Sequence, residues 1–203
     1  MGKNLIERLN EGPVVCAEGY LFAMERRGYL QAGAFVPEVV LEHPEVVSQL
    51  HREFIRAGSD VIQAFTYYGH REKLRIIGKE DLLEPLQKNA LQIAKDSRNE
   101  FKDLDLMVCG DVANTNVWDP HDKKSDLECQ KMFEEQVAWA KEAGVDFVVA
   151  ETITWLEEMK IALKVIKDAG LTAVCNFSIK QNDITRDGYT PGDACKILED
   201  NGA

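Results

Sequence analysis

Apolar positions recur along this chain in two alternating rhythms. Short runs rich in Val, Ile, Phe and Ala stand at Pro13–Cys16, Asp60–Thr66, Leu104–Cys109, Asp146–Ala150 and Leu171–Phe177, and each reads as a strand buried on both faces. Between the runs the spacing lengthens to that of a helix. Leu21–Arg27 is a short helical pattern closed by Gly28, and the segment Gln31–Pro37, which has no period, reads as a loop. His43-Pro44-Glu45 opens a helix with Val47, Leu50, Phe54 and Ala57 on one face. Further helical faces are Leu83, Leu86, Ala90 and Ile93, with Pro85 in the first turn; Phe133, Val137 and Ala140; and Leu156, Met159, Leu163 and Ile166. Pro191–Asp200 is the last. A polar loop is expected after Tyr67-Tyr68-Gly69-His70.

One punctuation mark repeats through this pattern. Ala57-Gly58, Ala143-Gly144 and Ala169-Gly170 each finish a helix and lead straight into a strand. Asn201-Gly202-Ala203 has the same form, so the chain is expected to stop where a further strand would begin. Five β/α units in strict alternation predict a parallel sheet covered by helices. Either an open five-stranded sheet or the first part of an eight-stranded barrel satisfies the pattern, and the stopping point favours the barrel.

The fold class sets where chemistry is to be sought. In such folds ligands bind beyond the carboxyl ends of the strands. Glu151 stands where the run Asp146–Ala150 ends, and Glu18, Gln63, Tyr67, Tyr68, Asp111 and Asn114 fall at or just beyond other strand ends. Acids at such a place suit an ammonium, and aromatic faces suit a quaternary cation. The bland readings are helix capping or ion pairing for Glu151, and ordinary packing for Tyr67 and Tyr68. Trp118, Trp139 and Trp155 read as packing or loop residues.

Composition removes other classes of function. Asp and Glu outnumber Lys and Arg by 35 to 24, a formal charge of -11, so neither nucleic acid nor an anionic membrane is an expected partner. The N-terminus lacks an apolar signal core, and no apolar run is long enough to span a bilayer. Cys16, Cys109, Cys129, Cys175 and Cys195 are widely spaced and odd in number, which predicts free thiols in a reducing cytoplasm. Cys109 and Cys175, inside strands, read as small buried hydrophobes. Metal-ligand spacings, phosphate-binding glycine loops and a nucleophilic serine motif are all missing.

Several segments nevertheless resemble one family. Glu7-Arg-Leu-Asn, Phe22-Ala-Met-Glu-Arg-Arg-Gly-Tyr, Glu42-His-Pro-Glu, Leu50-His-Arg-Glu-Phe-Ile-Arg-Ala-Gly, Gln63-Ala-Phe-Thr-Tyr-Tyr and Asp146-Phe-Val-Val-Ala-Glu are similar to betaine-homocysteine S-methyltransferases, in the wider homocysteine S-methyltransferase family. The resemblance implies a (β/α)8 barrel whose chain here, residues 1–203, is a homocysteine-binding barrel domain incomplete at its C-terminus. It implies methyl transfer from betaine to homocysteine, giving dimethylglycine and methionine, with a zinc-activated thiolate. By the same resemblance Glu151 contacts homocysteine, Tyr68 helps hold betaine, and Tyr67 and Phe35 replace other aromatics of the betaine cage. Thr152 stands where a further aromatic is expected. The family's Asp-Gly-Gly turn appears as Ala17-Glu18-Gly19, leaving Glu18 as an acid displaced by one residue.

The family's zinc cysteines would lie beyond Ala203, so the resemblance places no catalytic residue and no metal ligand within this chain. The 203 residues by themselves are therefore expected to be inactive. Two alternatives stand beside this reading: a silent ligand- or subunit-binding barrel fragment, whose open sheet edge would permit a homo-oligomer, and a relative that uses another donor such as S-methylmethionine.

Overall fold

The computed structural model describes residues 2–30, 33–179 and 183–203. Its centre is a parallel four-stranded sheet in sequential order: β1 (Val61–Gln63), β2 (Met107–Ala113), β3 (Phe147–Ile153) and β4 (Ala173–Phe177). Helices connect the strands, as parallel pairing requires, and the whole is a partial TIM-type barrel. Before β1 come α1 (Leu5–Leu9), α2 (Tyr20–Arg26), α3 (Val39–Glu42) and α4 (Pro44–Arg56). Between β1 and β2 lie α5 (Arg71–Ile76), a 3-10 turn at Glu80–Leu82 and α6 (Leu83–Asn99). The later crossovers are α7 (Lys124–Ala143) and α8 (Leu156–Asp168), and α9 (Pro191–Asp200) follows β4.

The two faces of the sheet have different neighbours. Ile62, Val108, Val148 and Ala150 face α6, α7 and α8, packing with Leu91, Phe133, Val137, Met159 and Leu163 into the largest core. Val61, Met107, Cys109, Phe147 and Val149 form the inner face, with Leu5 from α1 against them. Leu5 is held there because Asn4 and Glu7 close a capping box, each side chain accepting the other's backbone N–H. A third cluster joins α2, α3, α4 and α6 around Met24, Val40, Val47 and Leu86.

Several elements differ from the pattern read in the sequence. Pro13–Cys16 is not a strand in its own right; it makes one parallel bridge, Cys16 to Val61, with Ala17 N–H donating to the Val61 carbonyl at 3.0 Å. Its partner β1 is itself only Val61–Gln63, because the backbone turns at Thr66, whose N–H donates to the Ala64 carbonyl at 2.7 Å. β2 begins later than Leu104 and runs past Gly110 to Ala113, so Asp111 lies inside a strand and not in the loop after it. β3 likewise continues through Glu151 to Ile153, with a register shift against β4 after Ala150. The segment expected to be a polar loop after His70 contains α5. Residues 31 and 32 of the expected Gln31–Pro37 loop lie outside the described residues; the remainder forms no helix or strand. Cys175 is half-buried, whereas Cys109 is fully buried as expected. The Ala-Gly marks are as read, with positive φ at Gly58, Gly144 and Gly170.

Gly69 shows how closely the tyrosine turn is held. A Cβ at this position would meet the Thr66 carbonyl oxygen at 2.9 Å and Leu86 Cδ2 at 2.7 Å, and the Gly69 carbonyl accepts a buried hydrogen bond from Gln87. Gly69→Ala is expected to cost about 1–3 kcal/mol through overpacking against backbone, read as a lower urea midpoint. An unchanged midpoint would mean that the turn yields freely.

Candidate functional site

Glu18, Phe35, Tyr67, Tyr68 and Glu151 line one cleft of about 530 Å³ at the carboxyl ends of the strands, together with Gln63, Lys73 and Thr152. Larger hollows occur elsewhere on the surface, at the opposite end around Arg8 and Arg98 and between α7 and α8. Unlike those two, the strand-end cleft gathers several aromatic rings beside its acids. Its residues reach it from different elements. Gln63 is the last residue of β1 and Glu151 lies near the end of β3. Glu18 precedes α2, where Gly19 takes a left-handed turn that starts the helix. Tyr67 and Tyr68 follow β1 in the turn that leads to α5, and α5 brings Lys73 back over the cleft.

The floor is acidic. Alternation along the strands puts Cys109 and Asp111 of β2, and Val149 and Glu151 of β3, on the inner face, so the polar pair lies just above an apolar pair. Gln63 Nε2 donates to Glu151 Oε1 at 3.3 Å. Both carboxyl oxygens of Asp111 and the Gln63 Oε1 are buried without a hydrogen-bond partner among the described residues. Burial first, and then the neighbouring Glu151 charge, hold Asp111 well above the usual carboxylate range. Burial, with Glu18 adding to it, pushes Glu151 up to about 7.

The wall is aromatic. Tyr67 and Tyr68 have ring centroids 4.2 Å apart, and the Tyr67 hydroxyl is hydrogen-bonded to Thr152 Oγ1 at 2.9 Å. Lys73 Nζ sits 4.0 Å from the centre of the Tyr68 ring. Phe22 stands at the rim, 62% exposed. Phe35, Tyr68 and Thr152 all hold positive φ, near 56°, 58° and 55°, a region that side chains with a Cβ avoid. Beneath the wall, Tyr20 shares a 2.9 Å hydrogen bond with His51 Nδ1, and burial lowers His51 to about 3, so this histidine is neutral.

The sequence reading and the cleft agree on the five residues named above and differ on others. Asn114 turns away to bond Asn116, and does not line the cleft. Trp118 and Trp155 pack against each other at 5.0 Å between centroids. Lys73 and Phe22 were not singled out. Lys73 was hidden because the residues after His70 read as a loop; as a helix they return Lys73 to the ring of Tyr68. Among the described residues no group of three or more His, Cys, Asp or Glu side chains is placed to hold a metal ion, and no helix is long and apolar enough to cross a membrane.

The fold is thus an α/β protein, a partial TIM-type barrel, with an acid- and aromatic-lined cleft at the carboxyl ends of its strands, where such folds bind small molecules. The sequence places it more narrowly. A profile of the homocysteine S-methyltransferases matches residues 15–203, and the chain belongs to that family. It is 37% identical over 207 residues to betaine-homocysteine S-methyltransferase 1 of Xenopus tropicalis, covering 99% of this chain and 50% of that one. The Sus scrofa relative of the same name is 36% identical, with 99% and 72% covered. The chain thus spans about half the length of the Xenopus relative. In fold it matches the Escherichia coli homocysteine methyltransferase MmuM, metallated form, with a TM-score of 0.83 at 19% identity, over 98% of this chain and 74% of that one.

Proposed function

We propose that this chain forms the homocysteine- and donor-binding part of a methyltransferase that moves a methyl group from betaine to homocysteine. The observation that carries this reading is the division of the cleft: carboxyl groups on the floor and a tyrosine pair on the wall. Glu151 is the acceptor for the homocysteine ammonium, with Glu18 at the rim in support. Tyr68, Tyr67 and Phe35 face the trimethylammonium, whose positive charge is drawn to the negative ring faces. The thiol sulfur, once it has lost its proton, attacks a methyl carbon as the carbon–nitrogen bond breaks and its electron pair stays on nitrogen. Homocysteine becomes methionine and betaine becomes dimethylglycine. Zinc, which the resemblance brings with it, finds no ligand group among the described residues, and no step here is routed through it. The 203 residues are assigned binding rather than turnover. A cytoplasmic setting fits the free thiols.

Lys73 bears on the donor. Its ammonium occupies the Tyr68 face, and it has no carboxylate partner among the described residues. Betaine is a zwitterion, so a carboxylate arriving with the trimethylammonium draws Lys73 off the ring and frees the face. Tyr68→Ala is expected to weaken betaine binding by about 0.5–2 kcal/mol, roughly 2- to 30-fold, and to leave homocysteine binding unchanged. Lys73→Met should weaken betaine while sparing a quaternary amine without a carboxylate. Calorimetric titration with each ligand checks both. Betaine binding indifferent to Tyr68→Ala would remove the donor assignment, and tighter binding of S-methylmethionine than of betaine would replace the donor.

A further inference from the structure

We propose that Asp111 and Glu151 form a proton-sharing carboxyl pair that surrenders its proton when a primary ammonium ligand docks on the cleft floor. The ligand class rests on the amino-acid-binding reading given above; the part played by Asp111 does not.

The argument begins with unanswered acceptors. Asp111 is 3% exposed and Gln63 4%, yet both Asp111 oxygens and Gln63 Oε1 have no donor among the described residues. Gln63 is oriented by giving its Nε2 hydrogen to Glu151 Oε1 at 3.3 Å, which leaves Oε1 as a bare acceptor. A buried polar group without a partner is costly, and a buried ionised carboxylate more so. The cleft-lining lysine, Lys73, is occupied by the Tyr68 ring. The floor therefore presents Glu151 and Gln63, with the buried carboxyl of Asp111 behind them as a further unanswered acceptor, and no cation. A primary ammonium brings three N–H donors and one positive charge to that place. A quaternary ammonium brings charge without a donor and would leave the acceptors unanswered, so the floor discriminates between the two substrates that the cleft is proposed to hold.

The protonation balance follows from the neighbours. Two buried carboxyl groups on one face of neighbouring strands, two residues apart in register, retain a proton that isolated carboxylates would lose. Glu18 faces the pair from the turn before α2 and adds negative charge, while Cys16, Cys109, Tyr20 and Tyr67 around it are all raised by burial and stay neutral. In the empty cleft one O–H bond spans the pair. When R–NH3+ arrives, that O–H bond breaks, the proton passes to solvent buffer, and the two carboxylates face the ammonium. No covalent bond to the ligand forms. Affinity for the amine accordingly rises with pH through the neutral range, until the ligand's own amino group loses its proton.

Calorimetric titration of the purified chain with homocysteine, in buffers of low and high ionisation enthalpy near pH 7, counts the protons. The expected result is release approaching one proton per ligand in the unaltered chain. Asp111→Asn should cut the count to about half a proton, the share that Glu151 alone gives up near pH 7, and lower affinity about tenfold, while its melting temperature is maintained or raised because a desolvated carboxyl is gone. A merely structural Asp111 would move melting and leave the count alone; that result, or an unchanged affinity and count, overturns the proposal. Methionine and betaine serve as controls. Release with methionine but no binding of homocysteine would sustain the pair and overturn the homocysteine reading. Release with betaine equal to that with the amines would overturn the discrimination, and no binding of any primary amine would overturn both.

Discussion

Glu151→Gln is expected to strengthen the fold at neutral pH and to weaken homocysteine binding at the same time. The two signs come from one cause. Glu151 is raised by burial and by Glu18 from an ordinary 4.5 to about 7. A carboxyl whose folded value exceeds its unfolded value favours the fold fully below the unfolded value, and that contribution is lost as pH rises through the folded one. For this shift the loss is about 3 kcal/mol between pH 4.5 and 7, at order of magnitude. Urea unfolding of the unaltered chain should therefore weaken across that window, while Glu151→Gln should be flatter and more stable at pH 8. Homocysteine affinity should fall by about 1.5–3 kcal/mol, roughly 10- to 150-fold, because a charge-assisted contact becomes a neutral one. A variant that is less stable at pH 8, with affinity intact, would make Glu151 a structural residue.

The second large effect lies under the floor. Phe147 opens β3, is fully buried, and packs on the inner face with Val61, Met107, Cys109, Val149 and Leu5. Phe147→Ala is expected to cost about 3–5 kcal/mol, since the lost burial is compounded by a cavity that neighbours from different elements cannot close together. Equilibrium unfolding would show it, and Phe147→Leu should recover most of the loss. A loss below about 1 kcal/mol would mean that this end of the barrel collapses readily around the gap. The effect on homocysteine affinity should be smaller than that of Glu151→Gln, because Phe147 supports the floor without touching the ligand.

How much of this was legible in the sequence depends on the scale of the signal. Apolar runs opened by an Ala-Gly mark announced β3 and β4, and strand-end position was enough to point to Glu151 and Tyr68, which line one cleft. Short elements were harder. α1 has only Leu5–Leu9, and its clearest signature, Asn4 with Glu7 three residues on, is a capping box that the periodic reading passed over. The first strand was over-read because a run of apolar residues says nothing about whether a partner is long enough to pair with; here β1 offers three residues. Asp111 was placed after its strand because a charged residue ordinarily breaks an apolar run. The exception marks the floor, where a strand continues through a charge that the core would otherwise exclude. Lys73 was beyond local pattern altogether, since its place in the cleft depends on how α5 folds back, and the positive φ of Phe35, Tyr68 and Thr152 falls on residue types that give no sign of it.

The left-handed backbone at Phe35, Tyr68 and Thr152 is a local cost that the cleft wall carries. Glycine or asparagine would relax each of these positions. This chain carries two rings and a β-branched hydroxyl there instead. Its wall is therefore fixed by the folded backbone at three strained points before any ligand arrives.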